Sequence, residues 1–545
     1  MMGAKKFYTV LIAVTAFVIY SNAQVNMQIP AEHERNEGLL LVWDYAPVRD
    51  SVVANIAGAV QDHALVWIIY YPGQAPYDTS HIRQYLLNRG VGYHNVHFVP
   101  GWTETLWIRD YGPITGYKTS GTTLRQFFDA GYSKYNRPKD DSIPSQLGNY
   151  WNIPVLHLPL ELEGGNLIFD GYVRAFGSER ILDQNAPMSQ EQVSNILKDY
   201  FGLDDFVFLP KLMNSGGGIW MHVDMYMKMI DHETIMVSEY PSHLPDYPVI
   251  EGIVETLSGL MTIFGNTYNI IRIPAPPKAN GTYATTLNDE MRTYTNSVTI
   301  NGVVVVPSYN LPMDTLARQI YEEAMPGYTI EMVDSRVLTP LYGAIHCITR
   351  EVPQEDMLRI RHQKATGLQL YNHEFAISAM IRSNSPVDTV WLHYRIHPTE
   401  NFKKVRMWPS CPGYIGIIDG LFPTDTVSYF IEATSLTNAV TQPLVAPAGA
   451  YTFWFDHTIG TKNPQQTAEA VIFPNPNNGS FRLDIKNHTQ ITEIMVYSTD
   501  GRLVYNEMTE PTSVVQLPAS IENGYYFLRW FSREETGVSR FLLKR

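Results

Sequence analysis

Between about residues 30 and 365, apolar and polar positions recur in one phrase: two short apolar runs, an amphipathic stretch, then a further apolar run. The clearest copy reads TNSVTI, an Asn-Gly turn, VVVVPSYN, then DTLARQIYEEAM with apolar residues at helical spacing, and YTIEMVDS after Pro-Gly. The pattern predicts strand, strand, helix, strand. An earlier copy runs HVDMYMKMI, TIMVSEYP, helical VIEGIVETLSGLMTIFG and YNIIRIPAP. Before it come GGNLIFDGYVRAF, SERILDQN, helical SQEQVSNILKDYFG and DDFVFLP, and first of all ALVWIIYY, HIRQYLLNRG and HNVHFVPG. Each unit leaves an apolar face that only its neighbours can cover, so four like units predict one α/β domain of repeated ββαβ units. A doubly wound sheet would alternate one strand with one helix, whereas here the strands come in pairs.

Beyond residue 366 the helical spacing stops. TVWLHYRI, KKVRMW, YIGIID, DTVSYFIEAT and AYTFWF alternate apolar with polar residues between Pro, Gly, Asn and Thr, which predicts an immunoglobulin-like β-sandwich over 366–460. A polar link follows, and then a β-rich block over 468–545 with a Pro-Asn-Pro opening, glycine turns and a basic end. At the other end, Lys5 and Lys6 precede an apolar run that closes on Ser21 and Ala23, the pattern of a secretory signal over 1–23. That run is shorter than the roughly 20 residues a spanning helix needs. The repeated domain therefore occupies 24–365.

Composition narrows the function. The chain is 45% apolar and 12% aromatic, enough for large cores, and its net charge of −14 opposes contact with phosphate backbones, so a nucleic-acid partner is not expected. Export usually goes with paired cysteines, yet the 545 residues hold only Cys347 and Cys411, far apart. No disulfide is expected. Cys347, in LYGAIHCITREVP, stands out as a candidate nucleophile, while Cys411 in MWPSCPGYIG reads as a small core residue.

Four phrases place reactive groups at predicted strand ends or glycine-bounded turns: Trp107 and Asp110 in WIRDYGP, His222 and Asp224 in MHVDM, Asn296 in YTNS, and Cys347. Spacing of two along a strand would set His222 and Asp224 on one face. Singly, each has a bland reading as an ion pair, a turn former or a core residue. Together they suit a cation. Two carboxylates converging in a cavity repel each other unless a positive fork of N–H donors, such as a guanidinium, lies between them. A Cys347 thiolate could attack its central carbon, and His222 could protonate the departing ammonia and then deprotonate a water. His346, if the segment is extended, points away from Cys347 and reads as structural.

The order Trp107-x-Arg109-Asp110-x-Gly112-Pro113, Glu163-Gly-Gly-Asn166, His222-x-Asp224, Thr295-Asn296-Ser297 and Ile345-His-Cys-Ile-Thr349 is similar to the guanidino-group modifying superfamily. Within it the chain resembles the Porphyromonas-type peptidylarginine deiminase and agmatine deiminase family over about residues 30 to 355. The resemblance implies a five-bladed pseudosymmetric α/β propeller (pentein) and metal-free hydrolysis. It implies Cys347 as nucleophile, His222 as acid/base, Asp110 and Asp224 as guanidinium clamps and Asn296 as a positioning residue. No cofactor is expected, and no cluster has the ligand spacing of zinc or calcium. YNRPKDD resembles the stretch with which the peptidylarginine branch holds the carboxylate of a C-terminal arginine; Arg137 matches its first arginine and Lys139 takes the place of the second. Trp107 and Trp220 are candidates to flank the guanidinium. The final block resembles the sorting domains of type IX secretion, implying the secretion machinery as a partner. The expected substrates are arginine-containing peptides or proteins outside the cell, with agmatine as the alternative. A cysteine protease and a surface adhesin are the readings from other classes; the first lacks its family's signatures and the second would not need every reactive residue.

Overall fold

The computed structural model describes residues 27–545 apart from 74–77, 93, 120–123, 215–221, 411–412, 456–469, 486–491, 499–501, 510–511 and 532–535. The expected signal peptide, Trp220 and Cys411 lie outside the described residues. The chain divides into two compact units, one ending at Phe455 and one beginning at Asp456.

Within the first unit, five small sheets share one grammar: a first strand antiparallel to the second, and the second parallel to a third beyond a helix. In the order of the chain, the first complete sheet holds Ile114–Lys118, Leu124–Gly131 and Val155–Glu161, with Met27–Gln28 added at its edge. The next holds Ile168–Phe169, Arg174–Ser178 and Asp205–Leu209. Two more follow, Met227–Asp231 with Thr234–Glu239 and Asn269–Pro274, then Val298–Ile300 with Val303–Ser308 and Thr329–Asp334. The fifth joins both ends of the region: Arg350–Pro353 pairs antiparallel with Asn36–Val42, which runs parallel to Leu65–Tyr70 and that in turn to Val96–Pro100. Residues 350 and 40 are register partners, so more than 300 intervening residues are closed into a loop of sheets.

Two details differ from the sequence pattern. SERILDQN, expected as a strand, is the short helix Arg180–Gln184, because the second strand of its sheet is already supplied by Arg174–Ser178 and Ile181 is needed in the core beneath. The sheet built on 114–161 was not among the four recognised phrases. Its hairpin is rich in Gly and Thr and its helix Ile143–Trp151 carries Pro and Gly, so neither spacing stands out.

Residues 358–455 form two sheets around one core that includes Leu392, Ile418, Tyr429, Ile431 and Phe453. Strand Leu358–Arg361 belongs to them through Phe375–Ser383, ahead of the expected boundary at 366. Two ion pairs tie this region to the first, a largely buried one of Arg359 with Glu34 at 2.5 Å and a half-buried one of Lys364 with Asp231 at 2.5 Å. The second unit is all β, with sheets of three and four strands over a core containing Phe481, Leu528 and Trp530.

Candidate active site

A short turn stands immediately before the first strand of every one of the five sheets. These turns are Ile108–Tyr111, Gly164–Asn166, Val223–Met225, the loop through Thr295 and Asn296, and His346–Ile348. Strands this short cannot present long rows of side chains, so the turns at their starts carry the polar groups. Each turn bonds to the next. Gly165 N–H donates to Asp110 Oδ1 at 3.1 Å, Val223 N–H to Asn166 Oδ1 at 3.2 Å, and Thr295 Oγ1 to the carbonyl of Asp224 at 3.3 Å. His346 N–H donates to Asn296 Oδ1 at 3.0 Å, and Arg109 Nε to the carbonyl of His346 at 3.3 Å. Five links thus close a ring of turns.

Cys347 lies inside that ring. Its Sγ is 3.3 Å from Asn296 Nδ2 and 4.0 Å from Asp224 Oδ2. His222 Nδ1 is 3.5 Å from Asp110 Oδ1, and its Nε2 is 2.9 Å from Glu163 Oε2. The two halves meet over Gly165, where a Cβ would come within 2.8 Å of His222 Nδ1, 2.9 Å of Asp110 Oδ1 and 3.0 Å of Asp224 Oδ2. Only a glycine leaves room for all three. A cavity of about 300 Å³ opens from here, its walls including Trp107, Asp110, Tyr132, Arg137, His222 and Cys347.

The electrostatics of the site are dominated by three largely buried carboxylates, Asp110, Glu163 and Asp224. Burial, with the negative charges of Glu163 and Asp224, pushes the Asp110 carboxyl up to about 6 although His222 opposes this. Burial and the Asp224 and Asp110 charges push the Cys347 thiol up as well. Burial alone would lower His222, but Glu163 and Asp110 outweigh it and raise the imidazole to about 9. Burial works against ionised Glu163, yet His222 and Arg180 hold its carboxyl well below the usual range; Arg180 Nε is 2.6 Å away and Tyr135 bonds the other oxygen. Among the described residues Asp224 Oδ1 is buried without a hydrogen-bond partner, a costly state that an N–H donor from a guanidinium would relieve.

The structure brings together Asp110, His222, Asp224, Asn296 and Cys347, with Trp107 and Arg137 on the cavity wall. It changes the local reasons. His222 and Asp224 do not sit on a strand; His222 caps the 3-10 turn Val223–Met225, and the turn, not strand alternation, aims both inward. Lys139 does not line this cavity, because its ammonium lies 5.4 Å from the Tyr71 ring centroid on the outer side of the turn Pro138–Asp141. His346 is not in an extended segment: it begins a 3-10 turn, and its ring reaches back to Asp224. Glu163 was visible only as part of a motif; nothing in the sequence ties it to a histidine 59 positions away.

A family profile described as Porphyromonas-type peptidyl-arginine deiminase matches residues 28–353, which contain every one of these groups. The chain belongs to this family. Guanidino-group hydrolysis is the chemistry this membership supports. Among curated relatives, the agmatine deiminase of Pseudomonas fluorescens is 25% identical over 288 residues, covering 48% of this chain and 77% of the relative. That of Pseudomonas syringae pv. tomato is 24% identical over 361 residues, covering 60% and 95%. A solved structure of an agmatine deiminase from Enterococcus faecalis is similar in fold, with a TM-score of 0.53 at 19% identity, over 61% of this chain and 97% of that one. A second profile, the secretion system C-terminal sorting domain, matches 471–544 and marks the chain for type IX secretion to the cell surface or beyond.

Proposed function

We propose that this chain is an exported peptidylarginine deiminase that hydrolyses the guanidinium of arginine, above all at a peptide C-terminus, to citrulline and ammonia. The five sheets are read as blades of a propeller, with the ring of turns at its axis and the domain boundaries set out above. A guanidinium entering between Asp110 and Asp224 supplies the missing N–H donors and cancels the two charges that hold the Cys347 thiol protonated. The thiol proton leaves to solvent, Sγ bonds to the guanidino carbon, and His222 gives its proton to the departing nitrogen, which leaves as ammonia. The thiouronium that remains is attacked by water. One proton returns to His222, the other goes to the ammonia to give ammonium, the C–S bond breaks, the Cys347 sulfur regains its proton from solvent, and the neutral ureido product loses its grip on the carboxylates.

Arg137 carries the choice of substrate. Its side chain lines the same cavity as Cys347 and packs 5.4 Å from the Tyr135 ring centroid, and among the described residues it has no ion pair. A cation so placed repels agmatine and attracts the carboxylate of an arginine. A secreted enzyme also meets peptides. Agmatine is the second reading, favoured by the names of the curated relatives. Ammonia release from agmatine, from an arginine-terminated peptide and from the same peptide amidated separates them. The free carboxylate is expected to give the highest kcat/KM, and Arg137→Ala to remove that advantage. A clear win for agmatine would sink the peptide reading while leaving the chemistry in place.

A further inference from the structure

From Asp224 Oδ2, the oxygen 4.0 Å from Cys347 Sγ, runs a chain of buried charges that the reaction above does not use. His346 Nδ1 is 2.7 Å from Asp224 Oδ2, and His346 Nε2 is 2.7 Å from Glu32 Oε2. Glu32 Oε1 in turn accepts from Lys228 Nζ at 2.6 Å and from Thr299 N–H at 2.7 Å, and Lys228 also donates to the carbonyl of Ser297 at 2.9 Å. His346 and Lys228 are themselves buried. The charged groups around Asp224 are His346, Asp110, His222 and Arg109, with the Cys347 thiol beside them; those around Glu32 are His346, Lys228, Arg109, Arg350, Glu351 and His33. Four elements supply the chain: the segment before Asn36–Val42, the turn of Asp224, the strand Met227–Asp231 and the turn of Cys347.

The consequence lies in what is left of Asp224. Its Oδ2 is bonded to His346, so Oδ1 is the oxygen without a partner. A carboxylate held by one oxygen cannot rotate to satisfy itself elsewhere, and its open oxygen keeps one direction. Each ring nitrogen of His346 faces a carboxylate, so the imidazole is fixed at both ends and holds Asp224 Oδ2 in one place.

We infer that His346, braced by Glu32 and Lys228, is the positioning residue that orients Asp224 towards a guanidinium. It touches neither the sulfur nor the substrate carbon, and the sequence places it beside Cys347 because the same turn must serve both. The inference rests on the deiminase reading above.

Two isosteres test it in the full-length chain. Asparagine puts its amide nitrogen where Nδ1 stood, keeping the donor to Asp224 and losing Glu32. Glutamine reaches the Nε2 position, keeping Glu32 and losing Asp224. His346→Asn is expected to exceed His346→Gln in kcat/KM by at least about tenfold, the worth of a hydrogen bond to a charged group, with the loss in His346→Gln falling mainly on KM. Glu32→Gln, which loosens the brace without touching Asp224, should fall between the two. Thermal melts report folding separately, and the rate at which iodoacetamide alkylates Cys347 reports on the turn without needing turnover. Equal kcat/KM for the two isosteres, or a loss in His346→Gln that falls on kcat alone, overturns the inference. If the unaltered chain releases no ammonia from any guanidine compound, the deiminase reading fails instead, and the two failures are distinct.

Discussion

His222 sits between two carboxylates, Glu163 at 2.9 Å and Asp110 at 3.5 Å, and this arrangement sets the working pH. Asp110 is raised to about 6, so below that pH it is increasingly neutral and grips a guanidinium less. His222 is raised to about 9, so above that pH it has lost the proton it must give to the leaving nitrogen. Because kcat/KM reports groups of the free enzyme, its profile is expected to be a bell with limbs near 6 and 9. Glu163→Gln should draw the basic limb to lower pH, since the negative charge that raises His222 is gone; an unmoved limb would assign it to another group. Gly165→Ala tests the geometry. Its Cβ would fall within 3.0 Å of His222, Asp110 and Asp224 together, so kcat/KM is expected to drop by about a hundredfold, with overpacking lowering the melting temperature as well. At this scale the sequence was informative about residue types. Cys347, His222 and the two aspartates stood out by chemistry, whereas Glu163 and His346 looked like a motif letter and a bystander, because their partners lie 59 and 122 positions away.

The elements explain why those partners meet. The inner strands Val303–Ser308 and Leu65–Tyr70 are nearly continuous apolar runs, buried on both faces, which is why their phrases were easy to read. The short turns ahead of each first strand had no such signal. Their positions follow from strand pairing, which is a contact between distant residues. The closing strand Arg350–Pro353 begins three residues after Cys347, so its pairing with Asn36–Val42 holds the nucleophile's turn in place. Leu40, opposite Arg350 and wholly buried, anchors that pairing. Leu40→Ala should cost about 2–5 kcal/mol, read as a lower denaturant midpoint. A shift too small to measure would mean that closure does not depend on this contact.

At the scale of the whole molecule, every group of the candidate site comes from the unit that ends at Phe455. A chain ending there is expected to release ammonia with unchanged kcat/KM while losing export, because the matched sorting domain begins at 471. Loss of turnover on truncation, with the fold intact, would give the second unit a part in the reaction. Hydrophobic periodicity, turn residues and an ordered set of motifs are local properties of a chain, and by themselves they determined the repeated strand-pair units, the β-rich C-terminal regions and the reactive residues of the family. Which side chains touch is a different kind of fact. That Glu163 charges His222, that His346 braces Asp224 against Glu32, and that Lys139 lies on Tyr71 while Arg137 faces the cavity were decided only when the sheets closed and buried these charges against one another. Burial makes a charge choose a partner, and the partners available are set by the closed fold and not by neighbours along the chain.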